Sequence, residues 1–157
     1  MVIQLPNAEF GFPGPLRDRL VTAILNGSKV ATTSLELEFR LNGESLPVPG
    51  ERSIVVDSDN VPVGIIETVS VKVIALGEVR IEHAIDEGEA YQTVSAWRLS
   101  HEKFWQSDEM RDEMRDELGD PDFEVDDSTL VVLERFNNLN SLITMTTSSN
   151  LIMTCST

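Results

Sequence analysis

The segment "RSIVVDSDNVPVGIIETVSVKVIAL", residues 52–76, indicates the fold more strongly than any other stretch of the 157-residue chain. Two runs rich in Val and Ile flank the polar tetrapeptide "DSDN", which is typical of a tight turn, so we expect two paired strands here. The segment "VATTSLELEF", residues 30–39, alternates as a strand does, and "STLVVLERF", residues 128–136, predicts a final strand. These segments predict a sheet or a small barrel and argue against a helical bundle.

Two other segments have helical spacing. In "PGPLRDRLVTAILNGSK", residues 13–29, apolar residues recur at intervals of three or four between opening prolines and a closing glycine, which predicts a helix from about Leu16 to Asn26. "AYQTVSAWRLSHEKFW", residues 90–105, predicts a second helix on the same grounds. Because helices and strands are segregated along the chain, we expect a small α+β fold, with the strands in a sheet or a small β-barrel flanked by helices.

Composition narrows the classes of function. The chain is 41% apolar and 25% charged, the balance of one globular domain, and its net charge of -15 disfavours binding to phosphate backbones or anionic membranes. The single Cys155 excludes a disulfide framework, and two histidines without cysteine partners do not make an ordinary zinc site. No apolar run is long enough to span a membrane. We therefore expect a cytoplasmic protein without a metal or other cofactor and without a membrane partner.

Acidic side chains are concentrated in residues 108–127, which hold 11 acidic and 2 basic residues and so carry -9 of the net -15. Met110, Met114 and Leu118 recur every four residues, so we interpret the segment as a solvated helix or loop insertion. A calcium loop in "DPDFEVDD" is the weaker alternative, because an EF-hand loop requires a glycine that is missing here. Residues 137–157 are uncharged and rich in Asn, Ser and Thr, and we assign them to a tail.

Polar residues at the helix boundaries are the candidates for chemistry: Lys29 and Thr32 after the first helix, Glu87, Glu89 and Tyr91 before the second, and Arg98 and His101 on it. Several of these candidates also have a purely structural interpretation. Lys29 would complement a helix dipole, and Thr32 would be an ordinary β-branched strand residue. Glu87 would cap the second helix, and His101 would be a packed side chain beside Trp97.

Four motifs in order resemble the ASCH domains, whose small barrel is similar to that of the PUA RNA-binding domains. They are "GSKVATTSL" at 27–35, "LPVPGERSIVVDSDNVPVGIIETVSVKVIALGEV" at 46–79, "HAIDEGEAYQTVSAWRLSHEKFW" at 83–105 and "LVVLERF" at 130–136. We assign residues 1–136 to one such domain. Two departures from the family pattern are "EGEA", where a second glycine commonly follows the second glutamate, and "TTSL", where some members have an arginine.

Some members of this family look like amidohydrolases that act on cytidine acetylated at its exocyclic amine, using a lysine, a threonine three residues later and a glutamate. The resemblance places these catalytic roles on Lys29, Thr32 and Glu87. Thr32 would be the nucleophile, and Lys29 would be its base only if burial lowers the lysine pKa from about 10.4. Glu87 would orient the substrate amine or relay a proton to it. The candidates for substrate binding are Ser28, Thr33, Glu89, Tyr91, Arg98 and His101.

Two classes of function remain. The first is a small hydrolase that cleaves an amide on a nucleoside-like small molecule. The second is a noncatalytic RNA-binding or ligand-binding module, or a ribonuclease, of the same family. Outside the acidic segment only 10 basic residues face 16 acidic ones, which disfavours RNA because its phosphates need several cationic contacts. The oligomeric state is left open by the sequence.

Overall fold

A computed structural model describes residues 4–118 and 123–139. The predicted tail from residue 140 onward, Cys155 and part of the weighed calcium loop lie outside these residues. The strands are β1 (Asn7–Ala8), β2 (Ala31–Leu35), β3 (Arg52–Val56), β4 (Pro62–Ala75) and β5 (Leu130–Asn138). The helices are α1 (Pro15–Leu25), α2 (Glu36–Leu41), α3 (Ile81–Asp86), α4 (Val94–Trp105) and α5 (Asp108–Leu118), with a 3-10 turn at Leu76–Glu78.

The strands form one five-stranded sheet in the order β1-β3-β4-β5-β2. The predicted hairpin is present, because β3 pairs antiparallel with β4 and the Asp57 carboxylate accepts hydrogen bonds from the backbone of Asp59 and Val61 across the turn. β5 pairs antiparallel with both β4 and β2, while β1 adds parallel to β3. The α+β class is confirmed. The closed barrel is not confirmed, since within residues 4–118 and 123–139 no pairing joins the edge strands β1 and β2.

The two predicted long helices are present. α1 begins with Pro15 at its first position, and α4 begins after Thr93, whose hydroxyl oxygen accepts a hydrogen bond from the amide of Ala96. Two short helices were not predicted. The segment expected to continue as a strand after Leu35 turns into α2, because the Glu38 carboxylate accepts a hydrogen bond from the Leu35 amide and caps a helix there. α3 is six residues long, too short to show helical periodicity.

Two apolar clusters lie against the sheet. One contains Trp97, Trp105, Leu35 and Val131, and the other contains Phe10, Ile24, Val55, Ile66 and Phe136. The predicted apolar stripe of the acidic helix is seen where Met110 and Met114 pack into the first cluster. None of the helices in the described ranges is long and apolar enough to cross a bilayer.

Strand β2 separates two environments, which fixes the positions of neighbouring candidate residues. Ala31, Thr33 and Leu35 are buried, whereas Thr32 and Ser34 are half-buried. Because successive side chains of a strand point to opposite faces of a sheet, Thr32 and Thr33 face different sides. The last strand continues to Asn138, so residues 137 and 138, which we assigned to the tail, belong to the sheet.

Candidate functional site

Lys29 lies in the link between α1 and β2 and is buried, with 2% of its surface exposed. Its ammonium donates a hydrogen bond to the carbonyl oxygen of Ala31 at 2.8 Å, so it lies beside the peptide that joins Ala31 to Thr32. It also approaches the backbone oxygen of Glu87 at 3.4 Å and the Glu87 carboxylate at 3.5 Å. Burial lowers the pKa of Lys29, and the charges of Glu87 and Glu89 oppose only part of this effect.

Glu87 follows α3 directly and is also 2% exposed, so its charge requires partners inside the protein. Its Oε2 accepts a hydrogen bond from the Thr33 hydroxyl at 2.9 Å and a short one from the Trp97 indole. Its Oε1 lies 3.1 Å from Nε2 of His101. Burial alone would raise the pKa of Glu87, but the hydrogen bond from His101, the neighbouring His83 at 3.4 Å and the charge of Lys29 outweigh it, and the pKa lies well below its ordinary value.

The hydrogen bonds of this cluster also indicate which nitrogen of His83 carries a proton. Thr33 Oγ1 lies 2.7 Å from Nε2 of His83, and its single proton is directed to Glu87. Thr33 must therefore accept from His83, so Nε2 of His83 carries a proton. We call Lys29, Thr33, His83, Glu87 and Trp97 the buried network, because all five residues are almost fully removed from solvent.

A close backbone contact holds the two halves of the buried network together. Gly88 has a φ of +73°, and a Cβ at this position would lie 2.4 Å from the carbonyl oxygen of Ser28 and 2.6 Å from the amide nitrogen of Lys29. Only glycine permits both this dihedral angle and this approach. Ala90, two residues after Gly88, also has a positive φ, 62°.

An open cleft of about 830 Å³ adjoins the buried network. Lys29, Thr32, Thr33 and Glu87 all contribute to its walls, so the structure brings the three proposed catalytic residues to one cavity. Eight glutamates line the cleft within the described residues, against two basic residues, Lys29 and Arg17. Arg17 is 2% exposed, and its guanidinium donates to the backbone oxygens of Gly11 at 2.7 Å and Asp57 at 3.4 Å. The cleft is therefore acidic, and both of its cations are engaged by protein groups.

Three of the predicted binding residues lie on the cleft wall beside the buried network. His101 stacks on Trp97 with ring centroids 4.4 Å apart. The Tyr91 hydroxyl lies 3.1 Å from the Glu89 carboxylate and 2.8 Å from the Ser100 hydroxyl. Burial, reinforced by the charge of Glu89, raises the pKa of Tyr91 to about 12, so its phenol is neutral near pH 7. These side chains place aromatic rings and hydrogen-bonding groups on the cleft wall.

Ser28 and Arg98 are not part of the cleft wall. Ser28 bonds to the Asn26 side chain at 2.6 Å and closes the end of α1. Arg98 forms surface ion pairs with Glu102 and Asp127. Glu87 does not cap the second long helix as weighed from the sequence, because Thr93 has that role and Glu87 ends α3 instead.

Three residues of the site were not identified from the sequence. His83 lies four residues before Glu87, the i,i+4 spacing that places both on one side of a helix turn, and this spacing was a usable signal. Trp97 was expected only to pack, but its indole also donates to Glu87. Glu134 lines the cleft from β5 and had no signal of its own. Among the described residues, no group of three His, Cys, Asp or Glu side chains is arranged to hold a metal ion.

Comparison with known proteins gives concordant results. A family model described as the ASCH domain matches residues 8–140. The crystal structure of an ASCH domain from Lactobacillus crispatus JV V101 is 30% identical and superposes with a TM-score of 0.65, covering 78% of this chain and 72% of that one. A crystal structure of a protein from Enterococcus faecalis V583 is 24% identical with a TM-score of 0.70, covering 88% and 77%, and supports the fold alone. No curated protein gives a significant match.

Proposed function

The chain belongs to the ASCH domain family, and from this premise we propose that it is a small hydrolase that cleaves an amide on an acylated nucleoside of the acetylcytidine type, or on a related small molecule. The observation that carries the proposal is the buried ion pair of Lys29 and Glu87, with 3.5 Å between Nζ and Oε1, beside a cleft that Thr32 also lines. A buried charge pair is expensive to maintain and is a common sign of a functional site.

Thr32 is the proposed nucleophile. It lies on the half-buried face of β2, toward the cleft, where its hydroxyl oxygen would add to the carbonyl carbon of a bound amide. The cavity volume of about 830 Å³ lies within the range of about 300–1,000 Å³ that small-molecule sites occupy. The stacking side chains of His101 and Tyr91 suit a planar base, and the acidic wall suits a neutral or cationic ligand.

Lys29 is the proposed charge that stabilises the developing oxyanion. Its ammonium faces three acceptors, the Ala31 and Glu87 carbonyl oxygens and the Glu87 carboxylate, one for each N–H bond. This arrangement fits the protonated amine, although burial lowers the pKa of Lys29. Glu87 is held ionised by its hydrogen-bond donors. We propose that it positions Lys29, because both of its carboxylate oxygens already have hydrogen-bond partners.

The test is to incubate the purified protein with acetylated cytidine and a panel of acylated nucleosides and to follow release of the free amine by chromatography. We expect turnover, a loss of about a hundredfold or more in Lys29→Met and Thr32→Val, and no change in Lys72→Met, which removes an exposed lysine from β4. Absence of turnover on every substrate by the folded protein would overturn the hydrolase and leave a noncatalytic ligand-binding module.

The acidity of the cleft argues against RNA as the ligand. A bound phosphate backbone needs several uncommitted Lys or Arg side chains, whereas Lys29 and Arg17 are both buried and engaged by protein groups. We expect weak binding to single-stranded or structured RNA at physiological salt in a fluorescence anisotropy titration. Submicromolar binding with a steep salt dependence would favour an RNA-binding module over the hydrolase.

A further inference from the structure

We propose that Glu134 is a further catalytic residue, the carboxyl group that exchanges a proton with the Thr32 hydroxyl. This proposal rests on the proposed amide hydrolysis. It assigns the role of base to a residue outside the set Lys29, Thr32 and Glu87 on which the resemblance places the catalytic roles. The evidence is the register of two strands, the surroundings of the carboxyl group and the engagement of the other candidate bases.

The register of β2 and β5 makes Thr32 and Glu134 direct cross-strand partners. Such partners have Cβ atoms about 4.5–5.5 Å apart on the same face of the sheet. A glutamate carboxyl group can span that separation, so it can reach the hydroxyl of the residue opposite. Both residues also line the cleft, which places the proton acceptor and the nucleophile on the side from which a substrate would approach.

The surroundings of Glu134 keep its carboxyl group able to take up and release a proton. It is partly buried and lies near Glu51, whose backbone oxygen pairs with the amide of Thr68 at 2.8 Å on β4. Burial and the charge of Glu51 raise the pKa of Glu134 to about 7, and a hydrogen bond from Thr68 opposes the shift. Acid and base forms therefore coexist near pH 7, which is the condition that general acid–base catalysis favours.

The other charged groups around the inner cleft are less suited to this role. Lys29 donates hydrogen bonds to the carbonyl oxygens of Ala31 and Glu87 and lies 3.5 Å from the Glu87 carboxylate, and Glu87 receives hydrogen bonds on both oxygens. Arg17 has no acceptor atom, and its guanidinium donates to the backbone oxygens of Gly11 and Asp57. Glu51 is exposed and lies beyond Glu134 on the β3 side. The Glu134 carboxylate has about four lone-pair sites and accepts a hydrogen bond from Thr68 at one of them. It can therefore still accept a hydrogen bond from Thr32.

The chemical step follows from this placement. Glu134 takes the Thr32 hydroxyl proton while the Thr32 oxygen bonds to the amide carbonyl carbon, giving an oxyanion that Lys29 stabilises. The C–N bond then breaks, and the same proton passes from Glu134 to the leaving amine nitrogen. Water attacks the resulting Thr32 ester and gives one proton to Glu134. The C–O bond to Thr32 breaks, Glu134 returns that proton to the Thr32 oxygen, and the carboxylic acid departs.

The test compares Glu134→Gln with Glu51→Gln and with Glu67→Gln, a matched control in which the lost carboxylate pairs with Arg52. For Glu134→Gln we expect kcat to fall by about a hundredfold or more with little change in KM, and the rise of kcat/KM with pH near 7 to disappear. Glu51→Gln should move that rise to lower pH, and Glu67→Gln should leave the profile unchanged. Glu134→Gln that keeps turnover within a fewfold of the original would overturn the proposal.

A second probe keeps the test independent of nucleoside recognition. p-Nitrophenyl acetate is a substrate that needs no contacts to a nucleobase or a sugar. With it we expect release of p-nitrophenolate, and we expect mass spectrometry to detect an acetyl group on Thr32. Acetylation should be slowed about a hundredfold in Glu134→Gln. If no acylated nucleoside is turned over but Thr32 is acetylated in a Glu134-dependent manner, the proposed function fails and this inference stands. If Thr32 is not acetylated, or is acetylated equally in both proteins, the inference fails.

Discussion

Replacing Gly88 with alanine tests whether the approach of Glu87 and Gly88 to Ser28 and Lys29 holds the site together. The φ of +73° is unfavourable for an L-residue by about 1–2 kcal/mol. The new Cβ would also lie 2.4 Å from the Ser28 carbonyl oxygen and 2.6 Å from the Lys29 amide nitrogen, both of which are backbone atoms that cannot rotate away. Overpacking of this kind typically costs a further 1–3 kcal/mol.

We therefore expect Gly88→Ala to lower the free energy of unfolding by about 2–5 kcal/mol. Gly27→Ala is the matched control, since Gly27 has a φ of +87° but a Cβ there would meet nothing within 4 Å. It should lose only the dihedral contribution of about 1–2 kcal/mol. Urea denaturation followed by circular dichroism measures both values, and the difference between them isolates the steric contact.

The same substitution should disturb the buried network before the protein unfolds. Relief of the contact moves Glu87 away from Lys29, so the indole of Trp97, which donates to Glu87, should report the change in its native fluorescence. A Gly88→Ala protein that is no less stable than Gly27→Ala, with unchanged Trp fluorescence, would refute the argument that this contact positions the pair.

Three further substitutions test separate parts of the structure. Ala90→Gly should raise the free energy of unfolding by up to about 1 kcal/mol in urea denaturation, because alanine is strained at a φ of 62°; a decrease would contradict that strain. Trp97→Phe should lower stability by about 2–4 kcal/mol, since it removes a hydrogen bond to a buried carboxylate and leaves a small cavity; a loss below 1 kcal/mol by circular dichroism would argue against this bond. Glu134→Gln should flatten the pH dependence of stability. The folded state raises the pKa of Glu134 from 4.5 to about 7, so between these pH values it binds more protons than the unfolded state. The stability of the original protein should therefore fall as pH rises from about 4.5 to 7. Equal slopes in the two proteins would contradict the raised pKa.

Local signals were sufficient to predict much of the fold. The hairpin at "DSDN", the helix that begins at Pro15 and the capped helix that carries Trp97 all have their signals in adjacent residues, and all three are present. α2 was missed because a single side chain, Glu38, redirects the chain after Leu35. The closed barrel was expected from the family resemblance and is not confirmed for the described residues. Local signals do not report it, because strand pairing depends on contacts between distant segments.

Sequence motifs identified single residues of the candidate site but not how these residues are arranged in space. Lys29 and Glu87 were identified and lie 3.5 Å apart, although their catalytic roles stay predictions. Alternation along β2 indicates that Thr32 and Thr33 face opposite sides but does not reveal which side holds the buried carboxylate. The position of Glu134 opposite Thr32 depends on the register of β2 with β5, which no local pattern in "LVVLERF" encodes.

The burial of both Lys29 and Glu87 has a consequence for how ionic strength acts on this protein. Dissolved ions screen charges that they can approach, with a screening length of about 8 Å at physiological salt, but they cannot enter between two groups that are each 2% exposed. The interaction between Lys29 and Glu87 should therefore be nearly the same in dilute buffer and in concentrated salt. The solvent-accessible glutamates around the cleft, in contrast, set a long-range field that salt weakens. Salt thus distinguishes two electrostatic contributions within one cavity, the screened field of the glutamates at its entrance and the unscreened charge pair at its base.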